Sequence, residues 1–244
     1  MSSTDRELLY FMARVADQAE RHADVISIIK NIITIGPLTA EERNLLSVAY
    51  KALTGNRRTA LRTVNAFLED PSVQPQTERI SKLQELKTKL TKELDDYCKE
   101  IVELVDAKLL PSATEPAHRV FYEKLKADYY RYSVEFKEGN ERKDGSVKAK
   151  ESYKAAMDIA EAQLSKANPQ FLGLALNYSV FLYEIDSQKT EAISLADKTF
   201  KNAVDGLEDL PEDEYSEATL ILQLLKDSVQ LWTDEQAPND APAN

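Results

Sequence analysis

A chain of 244 residues with 43% hydrophobic and 30% charged residues is long enough for one large core or two small ones, and too apolar to be disordered throughout. Its net charge of −11, from 31 basic and 42 acidic residues, disfavours a nucleic-acid partner, which ordinarily calls for a basic surface. One cysteine, Cys98, excludes a disulfide framework; with no signal-like N-terminus and no apolar run near the roughly 18 residues that cross a bilayer, the expected location is the cytoplasm, with no membrane partner.

The six glycines are scarce, and the nine prolines stand at interruptions between stretches whose apolar residues recur at helical spacing. No segment alternates as a half-buried strand does, so the expected fold class is all-α, with about nine antiparallel helices in one domain over residues 1–233. Thr4 or Asp5 can cap a first helix running to about Glu20. A second, "RHADVISIIKNIITIG", stops at Gly36-Pro37. Thr39 and Glu42 form a capping-box pattern at the start of a long third helix that contains Gly55. The spacing predicts a fourth helix over about 76–108 and a fifth over about 116–138, ending in "EGNERKDG". A sixth begins at "SVKAKESYK" and stops before Asn168-Pro169; three more follow to Thr233. Residues 234–244 are acidic and rich in proline, alanine and asparagine, which predicts a disordered tail.

Charge convergence is the functional signal. Lys51, Arg58 and Arg62 are separated by seven and four residues on the third helix, so they share a face, with Arg57 off it. On the fifth helix Lys124 and Arg131 repeat the seven-residue step around Asp128, within "DYYRY". A solvated basic face explains the first stripe, and ring packing with a snorkelling Arg131 explains the second. The alternative is a clamp: two guanidinium forks and a tyrosine hydroxyl converging on an anion. Asn177, Val180 and Glu184 share another helical face beside Leu176, and Leu220, Leu224, Ser228 and Trp232 lie at fourfold steps beside Ile221. Spacing alone reads these apolar stripes as core, but a mid-helix asparagine needs hydrogen-bond partners if it is buried.

The blocks "ERNLLSVAYK", "GNRRTALR", "FYEKLKADYYRY", "LGLALNYSVFLYEI" and "TLILQLLKDSVQLWT", in that order over nearly the whole chain, resemble the 14-3-3 family. The resemblance implies a nine-helix, cup-shaped protomer that dimerises and binds peptides phosphorylated on serine or threonine in an amphipathic groove. It implies that Arg58, Arg131 and Tyr132 hold the phosphate with Lys51 nearby, while Tyr129 and Tyr130 pack. Arg62 and Lys124 fall at basic groove positions. Asn177 takes the place of the asparagine that bonds the peptide main chain, and Glu184 that of its acidic neighbour. Leu176, Val180, Leu220, Ile221 and Leu224 correspond to the apolar wall, with Trp232 beyond them. For a homodimer the resemblance implies Val15, Ala19, Arg21 and Asp24 on the first helix. These face Leu86, Lys89 and Glu93 of the other protomer, with Arg21–Glu93 and Asp24–Lys89 as ion pairs.

The departures are specific. Ser228 stands where the family usually has a second groove asparagine; it is shorter and lacks the amide fork. Leu61 replaces a usual tryptophan, Ala60 a serine that kinases modify in some relatives, and Leu86 a usual tyrosine. An enzyme or metal site is not expected: His22 and His118 are the only histidines, with no cysteine–histidine cluster, nucleophile elbow or phosphate-loop motif. No cofactor is expected. The competing functional reading is a tetratricopeptide-like scaffold that binds peptides without requiring phosphate, since Ala160 and Ala196 lie 36 residues apart, near that repeat's period.

Overall fold

The hydroxyl of Thr39 accepts a hydrogen bond from the Glu42 N–H at 3.3 Å, and the Glu42 carboxylate accepts one from the Thr39 N–H at 2.8 Å. This reciprocal cap satisfies two otherwise orphaned donors and starts a 30-residue helix. Glu42 also accepts from Arg6 Nε at 3.0 Å, so the cap ties the first helix to the third.

In this computed structural model, which describes residues 3–236, every regular element is helical. The order is α1 (Ser3–Gln18), α2 (His22–Ile33), α3 (Ala40–Glu69) and α4 (Thr77–Leu104). A π turn (Val105–Leu109) carries α4 into a one-turn α5 (Leu110–Ser112). Then follow α6 (Pro116–Val134), α7 (Gly139–Gln163), α8 (Pro169–Glu184), α9 (Lys189–Val204), a 3-10 turn (Leu207–Asp209) and α10 (Glu212–Gln236). Setting the single turn of α5 aside, nine α-helices stand among the described residues. None is long and apolar enough to cross a membrane.

Two helix boundaries differ from the sequence expectation. Helix α6 ends at Val134 instead of near Glu138, and α7 begins at Gly139, seven residues before Ser146. Gly139 has φ of +59°, a conformation that costs glycine little, and it opens α7 after a connection of only four residues, 135–138. The charged stretch "NERKDG" is therefore the first turns of α7 and not a loop. Helix α10 also continues through Asp234 to Gln236, into the stretch expected as tail, and residues 237–244 lie outside those described.

The helices gather into two compact units within the stretch expected as one domain. The first draws on Met1–Ala113 and Tyr132–Arg142. Its core takes Val25, Ile26, Ile29 and Ile32 from α2, Leu46, Ala49, Tyr50, Leu61 and Val64 from α3, and Leu94, Cys98, Ile101 and Val102 from α4. Leu61 is fully buried, so leucine fills the position where the family usually places an indole. Burial pushes the Cys98 thiol up to about 12, which keeps it protonated and inert as a nucleophile at neutral pH.

The second unit draws on Thr114–Arg131 and Lys143–Asn244. Helix α8 is its centre: Phe171, Leu172, Leu174, Ala175, Tyr178, Phe181 and Leu182 are buried, nearly all round the helix. Its neighbours present small residues that permit close approach, Ala149, Ala156 and Ala160 on α7 and Ala192, Ala196 and Ala203 on α9. Asn168 caps α8 by accepting from the N–H groups of Gln170 and Phe171.

Candidate functional site

The basic stripe of α3 meets a carboxylate at the end of α6. Arg58 Nε donates to Glu135 Oε2 at 2.6 Å, and Arg62 donates to Glu135 Oε1 from Nε at 3.1 Å and from Nη2 at 2.6 Å. The Arg58 guanidinium carbon stands 4.1 Å from the centre of the Tyr132 ring, in cation–π geometry. Arg58 is mostly buried, whereas Arg62 keeps 59% of its side chain exposed and Lys51 is exposed. Arg57 turns the other way, donating to Glu93 at 3.1 Å and covering the Tyr97 ring, which makes it a strut between α3 and α4. Lys137 pairs with Asp95 at 2.9 Å and Arg142 donates to the Val134 carbonyl at 3.2 Å, which fixes the C-terminal end of α6 within the first unit.

In the second unit the polar residues converge on Asp128, which is 6% exposed. Lys124 Nζ lies 2.9 Å from Oδ2, and Asn177 Nδ2 lies 3.0 Å from each carboxylate oxygen. The Tyr153 hydroxyl donates to Oδ1, accepts from Arg131 Nε at 3.1 Å, and so links the two charged groups; Arg131 Nη2 is 3.5 Å from Oδ1. Burial alone would push the Asp128 carboxyl up. Lys124, Arg131 and the Tyr153 hydrogen bond outweigh it and hold the group below the usual aspartate range, so it is ionised at neutral pH. Tyr129 is buried and Tyr130 packs against the core, leaving Arg131 and Tyr132 as the mostly buried, partly accessible pair of "DYYRY".

The apolar candidates divide. Leu220 and Leu224 of α10 are 63% and 45% exposed, and Leu176, Val180 and Ile221 are half-buried against the core. These can form a wall that a ligand covers. Trp232 cannot: it is buried and stacks on Tyr183 at 4.6 Å, so it belongs to the core and not to an open surface. Ser228 donates its hydroxyl to the Leu224 carbonyl one turn back, a local bond that leaves no donor fork. Glu184 is exposed.

The residues expected at a dimer seam lie on the surface of the first unit. Val15 and Leu86 are 42% and 44% exposed, and Ala19, Arg21 and Lys89 are exposed too. Within the protomer Arg21 contacts Asp24, and Glu93 holds Arg57. Larger apolar residues not named with them are also exposed nearby in sequence: Leu8, Phe11 and Met12 on α1 and Phe67 on α3, all at least 45% exposed. Glu135 and Tyr153 were likewise not among the expected site residues. A carboxylate three residues past Tyr132 was a local signal that could have been used; Tyr153 had none. Among the described residues, no group of three or more histidine, cysteine or acidic side chains is arranged to hold a metal ion.

The family model described as "14-3-3 protein" matches residues 12–233. "14-3-3 protein 8" of Solanum lycopersicum is 41% identical over 250 residues, covering 100% of this chain and 96% of the relative. "14-3-3-like protein G-BOX factor 14 kappa" of Arabidopsis thaliana is 41% identical over 238 residues, covering 96% of each chain. "14-3-3-like protein D" of Nicotiana tabacum is 42% identical over 233 residues, covering 94% of each. The chain belongs to the 14-3-3 family.

Proposed function

We propose that this chain binds phosphoserine and phosphothreonine peptides as a homodimer, with Arg58, Arg131 and Tyr132 on the phosphate, Lys51 adding charge, and Asn177 on the ligand main chain. Proteins of this family are phosphoserine- and phosphothreonine-binding adaptors, and membership makes this chain one; the tetratricopeptide-like alternative is not favoured. The observation that supports Arg58 is its grip on Glu135, shared with flanking Arg62 and made with the guanidinium over the Tyr132 ring, because it shows this cation already engaging an anion beside that tyrosine. Arg58 uses its Nε in that contact, so its terminal amino groups take no part in it. A phosphate carries about −1.5 to −2 charges and three acceptor oxygens, which two guanidiniums and a hydroxyl can match and a planar carboxylate cannot. Arg62 and Lys124 supply flanking charge, Leu176, Val180, Leu220, Ile221 and Leu224 the apolar wall, and Glu184 the acidic edge.

Titration with matched serine, phosphoserine and glutamate peptides tests this reading. The phosphoserine peptide should bind at least about 30-fold more tightly than the serine peptide, the lower end for a desolvated charge pair. Part of that advantage should fade as salt rises. Equal binding of the serine and phosphoserine peptides would return the scaffold reading.

The homodimer rests on apolar exposure. Leu8, Phe11, Met12 and Val15 on α1, Phe67 on α3 and Leu86 on α4 are large apolar side chains each at least 42% exposed, the kind of surface a partner covers. A hollow of about 580 Å³ is lined by Phe67, Val73, Leu83 and Leu86 together with Arg79 and Lys82, and one of about 350 Å³ by Met12, Val15 and Ile28. Exposed ion pairs add only about 0–1 kcal/mol each, so the apolar seam must supply the affinity. Sedimentation equilibrium at micromolar protein should give twice the 27.5 kDa chain mass, and Phe11→Glu should shift it toward monomer. A monomer in the unmodified protein would overturn the dimer.

A further inference from the structure

We infer that Asp128 is a positioning residue of the peptide site: its buried carboxylate sets the orientation of the Asn177 carboxamide, so that Asn177 offers an acceptor, not a donor, to the ligand main chain. The inference rests on the groove reading above and adds to it which atom of Asn177 reads the peptide and what holds that atom in place.

An ionised carboxylate can only accept hydrogen bonds, so any amide beside it must turn its NH2 edge inward. Asn177 Nδ2 stands 3.0 Å from both oxygens of Asp128, and a flipped carboxamide would set its carbonyl oxygen against those same two oxygens. Repulsion excludes that arrangement. The carbonyl Oδ1 therefore occupies the opposite edge of a half-buried side chain and presents lone pairs, which match a peptide N–H. Asp128 is itself held from three helices: Lys124 and Arg131 on its own α6, Tyr153 on α7 and Asn177 on α8. Arg131 is fixed by the same device. Its Nε is committed to the Tyr153 hydroxyl, which passes a hydrogen bond on to Asp128, so the guanidinium plane is set by residues with no part in ligand contact. A single buried carboxylate thus orients one cationic and one neutral recognition group.

The test uses the full-length protein and calorimetric titration with a phosphoserine peptide and analogues in which one main-chain amide at a time, on either side of the phosphoserine, is N-methylated. In the wild type, methylation of one amide should weaken binding about tenfold more than it does in Asn177→Ala, the value for one hydrogen bond. In Asp128→Asn the new carboxamide can accept as well as donate. It no longer dictates which way Asn177 faces, so the excess penalty should fall to about twofold while the parent affinity also drops. Retention of the full penalty in Asp128→Asn, with phosphate dependence intact, overturns the inference and leaves the groove reading standing. Loss of phosphate dependence in the wild type removes both. Should Asp128→Asn fail to fold, the side-chain amide protons of Asn177 in the wild type decide by NMR. Slow exchange with water is expected for an NH2 held on Asp128, and exchange as fast as that of exposed asparagines overturns the assignment.

Discussion

Alanine in place of Arg131 should cost phosphopeptide binding about 2–5 kcal/mol, the range for removing one member of a desolvated charge pair. The side chain is 11% exposed and its Nε and Nη2 edges are held by Tyr153 and Asp128, so its entropy is largely spent before ligand arrives. Arg58→Ala should fall in the same range, because Arg58 is also mostly buried, although Arg62 would still hold Glu135 in that variant. Lys51→Ala should cost less, since an exposed ammonium is well screened. The two arginine variants should differ in stability. Without Arg131, Asp128 keeps Lys124 at 2.9 Å but loses one of its two cations in a buried setting, so the melting temperature should fall. Arg58→Ala leaves no buried carboxylate without a cation and should melt close to the wild type. Arg131→Lys should recover the charge without the fork, and so only part of the affinity. Calorimetry on folded variants checks this series; unchanged affinity in both alanine variants would remove the clamp.

Helical spacing and punctuation made most of the fold legible. Thr39 and Glu42 form the cap their spacing suggests, Pro169 starts α8 behind an asparagine cap, and the apolar periodicity of α2 and α8 marks the faces that are buried. The turn at Gly139 was less legible because charged residues serve equally as a loop and as the exposed first turns of a helix. Within the site, spacing reported which residues share a face and could not report what that face meets. Arg58 finds Glu135 at 77 positions' separation, and Asn177 finds Asp128 at 49. Tyr153 was invisible for the same reason, lying 25 positions from the carboxylate it serves and surrounded by residues that read as ordinary core. Trp232, which the resemblance places beyond the apolar wall, turns its ring onto Tyr183, whose hydroxyl donates to Glu235, so the pair fastens the end of α10 to α8.

The largest stability effect should come from Phe181→Ala, at about 3–5 kcal/mol. Phe181 is 0% exposed on the central helix α8, and its ring lies 5.4 Å from that of Tyr153 and 6.3 Å from that of Tyr178. Truncation removes an aromatic side chain from three packed rings, and the neighbouring helices cannot close the gap without moving α7. Phe181→Leu keeps most of the volume and should cost less than about 1.5 kcal/mol. The consequence extends beyond stability. The Tyr153 ring is held between Tyr178, stacked at 5.2 Å, and Phe181, and its hydroxyl is the link between Arg131 and Asp128. A cavity behind that ring gives the hydroxyl room to leave both partners. Phe181→Ala should therefore weaken phosphopeptide binding under conditions where the protein is still folded. Tyr153→Phe, which keeps the ring and removes only the hydroxyl, should weaken it with a smaller loss of stability. Urea unfolding and calorimetry on the three variants separate these effects. A Phe181→Ala protein destabilised by several kcal/mol yet binding phosphopeptide as the wild type does would show that the aromatic cluster supports the core without setting the geometry of Arg131.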